Sequence, residues 1–519
     1  MSLRTPLSAL GVFVIFATPL LAQAPAGGDA VPCGVPIAAL PPCGGAEKPA
    51  TGTVAIVDGS VFTWKDLDEQ LKQKVEHLDD AVARARRAAL SAEIEEALLD
   101  AEAARRKLLP RDFYFAEVVR KIAAPSDAEV SAEYDAHRDR YGKRPLQDSR
   151  AWIGSVLFAE REKARASELA GSIRSRVPVE MKANPDAPGL TQTSVLATVG
   201  PRPITVASAS TRLEASAWAV RWEVWREESA AVEKLVHEHV LKAEAVRRGV
   251  TPEALVASEV SGRLKPPSEE EIVRYFKKYQ AFFGDDLAAV RAKVIQGAQG
   301  DAKAAREAEF DRELRAGRQV RILVDEPASP VLAVESPSAP SRGSPRAAVM
   351  VVEFGDFQCP PCGFMYGIVE EALRPFGDRV RYQFRHYPMG FHEFALKASE
   401  AAMAAGEQGH FWEYAEVLFR NQKALEVGFL KRYAVEVGLD SERFAKDLDS
   451  GRFTAAALEE KRAGARAGVQ GTPAFFVNGV RLPYSAYSVT GIRGAVESAR
   501  TRLPSSALFL DSLDTGGGK

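Results

Sequence analysis

Cysteine is scarce in this chain, with four in 519 residues, and those four leave only two pairs, Cys33 with Cys43 and Cys359 with Cys362. Histidine is nearly as rare, at seven. An excess of either charge is missing too: 68 Lys and Arg stand against 70 Asp and Glu, for a net charge of −2 and a sequence pI near 6.5. That balance removes the electrostatic case for a nucleic-acid partner. Long apolar runs are absent apart from Leu7 to Leu21, so no other segment is expected to cross a bilayer. What is present is length: 519 residues exceed what one core can organise and suggest about three domains.

The N-terminus carries Arg4, the apolar run to Leu21, and then Ala22-Gln23-Ala24, the layout of a secretory signal at 1–24 cleaved after Ala24. The run is short and broken by Pro6 and Pro19, which favours cleavage over retention as a membrane anchor. An exported, periplasmic protein is therefore expected. Residues 25–50 follow as a Pro/Gly-rich segment holding Cys33 and Cys43. In an oxidising compartment this pair reads as a local disulfide. A second redox pair that exchanges with Cys359, or a four-thiolate zinc site combining both pairs, are the other readings.

The most informative stretch is Val349-Met-Val-Val-Glu-Phe-Gly-Asp-Phe-Gln-Cys-Pro-Pro-Cys362, an apolar strand running through a turn into Cys359-Pro-Pro-Cys362. Two cysteines two residues apart at a helix start place the first sulfur among unpaired backbone N–H groups, where the dipole favours the reactive thiolate. Cys359 is expected to be the exposed nucleophile, and Cys362, one turn in, the shielded resolving thiol. Pro360 and Pro361 suit the first helical turn but cannot donate to the sulfur. More than a hundred residues on, Thr472-Pro473 precedes an apolar strand and the turn Asn478-Gly479.

These pieces, with the helical stretch between them, resemble the DsbA-like thioredoxin-fold oxidoreductases over 348–504. The resemblance implies a cis Pro473 facing Cys359, with Thr472 presenting backbone to an extended client. It also implies a buried acid at Glu353, six residues before Cys359, that takes the proton of Cys362. An edge-facing glutamate is the other reading of Glu353. Asp356, in the turn, is read as a helix-proximal cap in preference to a group that tunes the cysteine. Relatives with histidine between the cysteines gain a thiolate partner that Pro-Pro lacks, so a less oxidising disulfide is expected here. His386, His392 and His410 fall within 25 residues and could suggest a metal. Their flanks match packing positions of that family, so they are expected to be structural.

The first two thirds repeat themselves. Leu98-Leu-Asp-Ala-Glu-Ala-Ala-Arg-Arg-Lys-Leu108 aligns with Val240-Leu-Lys-Ala-Glu-Ala-Val-Arg-Arg-Gly-Val250, and Pro125-Ser-Asp-Ala-Glu with Pro267-Ser-Glu-Glu-Glu, both at an offset of 142 residues. Thr63 and Thr205, read as N-caps, share that offset. A constant offset implies a duplication, at 51–190 and 191–325. Each copy is expected to have a short strand, amphipathic helices, and a capping box at Ser126/Glu129 or Ser268/Glu271. The pattern resembles the chaperone domain of the SurA/PpiD/PrsA group of exported prolyl isomerases. Segments 142–194 and 281–347 contain no histidine, whereas parvulin active sites pair histidines, so only the chaperone role is expected to carry over. Trp218, Trp222 and Trp225 share one helix face, either as core or as an exposed surface for clients.

Residues 326–347 are rich in Pro and Ser and read as a flexible linker that would let the redox domain sweep roughly tens of ångströms. The tail 505–519 reads as disordered. The expected architecture is thus multidomain: two mainly α, SurA-N-like repeats followed by an α/β thioredoxin fold with a helical insertion. The expected function is disulfide oxidation or isomerisation in unfolded or thiol-bearing secreted proteins held by the helical region. A membrane oxidase or reductase would reset the pair, with no cofactor or metal. A holdase whose redox pair senses or locks conformation is the alternative.

Overall fold

Val54-Ala-Ile-Val57 and Val195-Leu-Ala-Thr-Val199 are apolar and β-branched, and each runs into a turn containing glycine at positive φ, so each opens a hairpin. The computed structural model describes residues 52–138, 146–283 and 286–501. The expected signal, Cys33 and Cys43, and the tail lie outside the described residues.

In chain order the first part holds β1 (Thr53–Val57), β2 (Ser60–Thr63), α1 (Glu69–Glu76), α2 (Leu78–Arg105), α3 (Pro110–Glu117), α4 (Asp127–Ala136), α5 (Leu146–Arg174) and β3 (Val179–Met181). It continues with β4 (Val195–Val199), β5 (Arg202–Thr205), α6 (Val206–Arg248), α7 (Pro252–Glu259), α8 (Glu269–Lys278), α9 (Gln280–Phe283), α10 (Leu287–Arg315) and β6 (Val320–Ile322). The C-terminal part holds β7 (Ser341–Arg342), β8 (Val349–Gly355), α11 (Pro360–Leu373), β9 (Val380–His386), α12 (Ala395–Gly406) and α13 (Phe411–Arg420). It ends with α14 (Val427–Glu436), α15 (Ser441–Asp449), α16 (Thr454–Arg466), β10 (Ala474–Val477), β11 (Val480–Arg481) and α17 (Val489–Thr501).

β1 and β4, β2 and β5, α3 and α7, and α4 and α8 each start 142 residues apart. Both capping boxes form: the Glu129 carboxylate accepts from Ser126 N at 2.7 Å, and that of Glu271 from Ser268 N at 2.8 Å. The same-named ion clusters recur as well. Glu102 holds Arg105 and Arg106, and Glu244 holds Arg247 and Arg248.

The compact units differ from the expected boundaries. The described residues of the larger are 87–138, 146–215 and 330–501, and those of the smaller 52–86, 216–283 and 286–329. The reason is length: α2, of 28 residues, and α6, of 43, each run through a unit boundary. In the smaller unit β1 pairs β2 and β6, and Val54, Val57, Leu71 and Val75 pack with Val232, Val236, Val240 and Phe310. Trp218, Trp222 and Trp225 stack there as a half-buried ladder with centroids 5.0 and 4.8 Å apart. In the larger unit β4 pairs β3 and β5 over a core of Leu90, Ile94, Leu98, Phe113, Ile173 and Ile204.

The larger unit also contains a five-stranded sheet in the order β11-β10-β8-β9-β7, with β8 and β9 parallel and the rest antiparallel. β8 is buried at every position, as its unbroken apolar run requires of a central strand. Val349 and Val351 face α11 and α17, while Met350, Val352 and Phe354 face Ala467, Val469 and Leu332. α12 to α15 form the helical insertion and pack over Phe357 and Phe384.

Much of the expected linker instead packs against this sheet, and its Ser341–Arg342 forms the edge strand β7. Leu332, Val334 and Ala339 are buried, Gln383 exchanges hydrogen bonds with Ser336 at 2.9 and 2.7 Å, and Arg385 donates to Val334 O at 2.7 Å. Apolar residues set between the prolines give this segment a face to bury, which its composition alone conceals. Leu332 N donates to Gly479 O, and a Cβ at Gly479, where φ is +78°, would stand 2.5 Å from the Leu332 carbonyl, so the turn needs glycine. Limited trypsin digestion of the native protein should therefore spare the bond after Arg342. Rapid cleavage there, mapped by mass spectrometry, would contradict this packing.

Candidate active site

The strand-to-helix turn of Asp356-Phe-Gln-Cys359 sets the two sulfurs. Cys359 is the N-cap of α11, with both prolines in its first turn, and Cys362 N donates to Cys359 O at 3.0 Å. Cys359 and Cys362 stand as two free cysteines in this structure. Cys362 is fully buried, and Cys359 is only 5% exposed, less open than its position suggested, because its thiol lies against Thr472 and donates to that carbonyl at 3.3 Å. The peptide bond from Thr472 to Pro473 is cis.

The two thiols divide the titration between them. The hydrogen bond from Cys362 is the largest influence on Cys359 and holds its pKa below the ordinary value, against the opposing effect of burial. Burial pushes Cys362 well above its ordinary value, and the adjacent Cys359 and Glu353 add to the rise. Cys359 thus loses its proton first, and Cys362 retains its own.

Glu353 faces the pair from β8. It is 1% exposed, and burial pushes its pKa up to about 7, partly offset by a hydrogen bond from Tyr382. Its Oε1 has no hydrogen-bond partner among the described residues. Tyr382 sits on β9, where parallel register sets it opposite Val351, and the Arg342 guanidinium lies 4.9 Å from its ring. A buried carboxyl with one oxygen held and one free, near neutrality, can pass a proton to or from the resolving sulfur.

Side chains from distant loops fix the motif. Gln422 donates to Phe357 O at 2.9 Å and Cys359 O at 2.7 Å. It comes so near α11 that a Cβ at Gly363 would stand 2.3 Å from its Oε1. Gln358 accepts from Phe394 N at 2.7 Å. Asp356 is fully buried and is not the helix cap, a position held by Cys359 itself. Its carboxylate accepts from Gln358 N at 2.8 Å, Met389 N at 2.8 Å and His392 Nδ1 at 2.7 Å.

Of the expected site residues, Cys359, Cys362, Glu353, Thr472 and Pro473 come together, while Cys33 and Cys43 lie outside the described residues. His386 is buried among Phe357, Phe384 and Phe411, and burial pulls its pKa down to about 3, so it packs as a neutral ring. His410 precedes α13 as its N-cap. His392, expected to be one more packing residue, instead bonds the acid three positions before Cys359. Tyr382 and Gln422 were not singled out from the sequence. Their spacings from the motif follow no local period, and only the fold brings them in.

The site is joined to helices of the first part within the larger unit. Arg462 and Arg466 of α16 both reach Glu96 of α2, at 3.3 and 2.7 Å, and Arg212 of α6 binds the same carboxylate and Glu93. The Arg462 guanidinium lies 3.7 Å from the ring centroid of Tyr114.

Residues 335–496 match the family model described as thioredoxin. With the sheet order above, that match gives the C-terminal part a thioredoxin fold. The Na(+)/H(+) antiporter NhaA 1 of Salinispora arenicola (strain CNS-205) is 41% identical over 159 residues, which is 30% of this chain and 24% of that protein. NhaA of Herminiimonas arsenicoxydans is 39% identical over 153 residues, 29% of this chain and 24% of the relative. The chain thus spans about a quarter of the length of these curated relatives. Among solved structures, a thioredoxin-like oxidoreductase from Silicibacter pomeroyi DSS-3 is 29% identical, with 32% of this chain and 95% of that one covered and a TM-score of 0.30. Oxidised BdbD from Bacillus subtilis is 22% identical, with 34% and 96% covered and a TM-score of 0.30. Among the described residues no helix is long and apolar enough to cross a membrane.

The raised pKa of Glu353 has a definite sign for stability. The folded state binds its proton more tightly than the unfolded chain, so the contribution is complete below about 4.5 and is lost as pH rises through about 7. Glu353→Gln should remove that loss, by up to about 3 kcal/mol at alkaline pH. Denaturant melts of both proteins at pH 5 and pH 8 should show the variant gaining far more on the parent at pH 8 than at pH 5. An equal difference at both pH values would place Glu353 in a different environment.

Proposed function

We propose that the chain is an exported thiol–disulfide oxidoreductase that oxidises or isomerises disulfides in unfolded secreted proteins. The observation that carries the reading is the placement of Cys359 at the N-cap of α11, 3.3 Å from the Thr472 carbonyl ahead of a cis proline, with Cys362 buried behind it and Glu353 buried on β8. The opposed pKa directions of the two sulfurs agree with it. In the oxidising direction a client thiolate attacks Sγ of Cys359 in the Cys359–Cys362 disulfide. The S–S bond breaks, a mixed disulfide forms, and Cys362 leaves as a thiolate that takes a proton from Glu353. A second client thiolate attacks the client sulfur of that mixed disulfide, closing the client disulfide and releasing Cys359 as thiolate. Two electrons pass from client to protein, and a membrane redox partner removes them. In isomerisation the reduced Cys359 attacks first and the pair ends reduced.

Thr472 supports strand-like docking of the client, because its backbone carbonyl already lies against the attacking sulfur. The helical region is the proposed client-holding part, in the manner of a duplicated SurA-like chaperone. The 142-residue recurrence of its elements and the half-buried tryptophan ladder support this. Prolyl isomerase activity forms no part of the proposal.

Equilibration of the full-length protein in glutathione buffers is the deciding experiment. The Cys359–Cys362 pair should exchange and titrate on the reducing side of about −120 mV, the value of the strongest oxidants of this kind. Cys359→Ser should abolish exchange, and Cys362→Ser should trap a mixed disulfide with a reduced, unfolded client. Failure of unaltered Cys359 to form any mixed disulfide with glutathione would end the reading.

A further inference from the structure

We propose that His392, from the loop between β9 and α12, is a positioning and charge-compensating residue for the Cys359 thiolate, acting through Asp356. Asp356 is fully buried three residues before the attacking cysteine, and its carbonyl accepts from Cys359 N at 3.1 Å. Its carboxylate holds the turn through Gln358 N and the neighbouring loop through Met389 N. A buried anion at that position opposes a second negative charge on Cys359, and its influence on the thiol is indeed to raise the pKa. His392 Nδ1, 2.7 Å from Asp356 Oδ2, is the ionisable side chain hydrogen-bonded to that anion. Protonated, it turns a bare negative charge into an ion pair.

Of the cationic groups around this carboxylate, His392 is the one hydrogen-bonded to it among the described residues. Lys461 of α16 also faces Asp356, its pKa lowered by burial against the opposing pull of Glu162 of α5 and of Asp356, but it makes no hydrogen bond to that carboxylate among the described residues. Glu353 approaches the sulfurs from β8 and adds negative character whenever it ionises. Cys359 itself faces His392. Burial alone would lower the His392 pKa, yet the Asp356 hydrogen bond and charge, joined by Cys359, outweigh it and hold the imidazole above its ordinary value. Pro360 and Pro361 offer the thiolate no donor from within the motif. A loop more than thirty residues downstream supplies the missing positive charge. As pH rises through the folded pKa of His392, the proton leaves, Asp356 loses its hydrogen-bonded counter-charge, and the thiolate is destabilised.

This rests on the reading of Cys359 as the attacking thiolate, and the test separates the two. The rate of Cys359 alkylation by iodoacetamide, followed from pH 3 to 9 by mass spectrometry of its peptide in the full-length protein, reads the cysteine proton whether or not any client is turned over. His392→Gln keeps a donor but not the charge. It should move the Cys359 midpoint up by about one unit or more, and the same variant should hold less disulfide in a fixed glutathione buffer. Adding Asp356→Asn should return the midpoint toward that of the unaltered protein. If His392→Gln folds poorly, Asp356→Asn alone decides, and should move the midpoint down. A midpoint unmoved in His392→Gln while the melting temperature falls, or one that rises in Asp356→Asn, would overturn the proposal.

Discussion

A nearly water-free pocket can hold one negative charge far more easily than two, and that constraint organises the redox end of this protein. Two sulfurs, the Glu353 carboxyl and the Asp356 carboxylate converge around the first turn of α11, and three of these four groups are fully or almost fully buried. Each therefore affects the proton of its neighbours. Cys359 ionises at the expense of Cys362, Glu353 stays protonated toward neutrality, and the Asp356 carboxylate accepts from three donors around it. The sheet matters because it fixes these separations: β8 carries Glu353 and leads into the motif, β9 carries Tyr382, and β10 follows Thr472 and Pro473.

The helices around the pocket are as much part of the site as the strands. Gln422, just beyond α13, ties two carbonyls of the motif loop, and Tyr414 and Leu418 of the insertion share one buried core with Phe357 and Cys362. On the opposite side α16 carries Glu460, which accepts from His386 N and Arg385, while Arg462 and Arg466 on the same helix turn toward Glu96. One helix thus fixes the end of β9 with one face and the acidic face of α2 with another. The redox end is held against helices of the first part instead of hanging from them.

How much of this was legible in the sequence follows from the range of each signal. Cys359 and Cys362, the strand ahead of them and Thr472-Pro473 are short contiguous patterns whose physics is local, and they come together as expected. The spacing of 142 residues was legible because it is carried by many positions at once. The packing of 331–342 was hidden because Pro and Ser recur through the surrounding stretch, while Leu332 and Val334, which decide its fate, are two residues among many. Tyr382, Gln422 and His392 were hidden for a different reason. Each is an ordinary residue whose importance lies in a partner 29, 63 or 36 positions away. The division into units escaped because helices longer than a copy's own core carry the chain from one core to the next.

That last arrangement bears on how the chain can fold as it is made. β1 is among the first described segments to be synthesised, yet Ile56 finds its partner in Arg321, 265 positions later. The residues that bury Val54 and Val57 come from α6 and α10, also far downstream. The hairpin of β4 and β5, by contrast, meets strand and helix partners that precede it in the chain. A growing polypeptide can thus complete the core around β4 while the first hairpin still waits with its apolar face uncovered. Such a wait exposes β-forming surface to neighbours for the time taken to add more than two hundred residues, on the order of ten seconds or more. The first hairpin is accordingly the part of this molecule most dependent on being kept apart from other chains during its own synthesis.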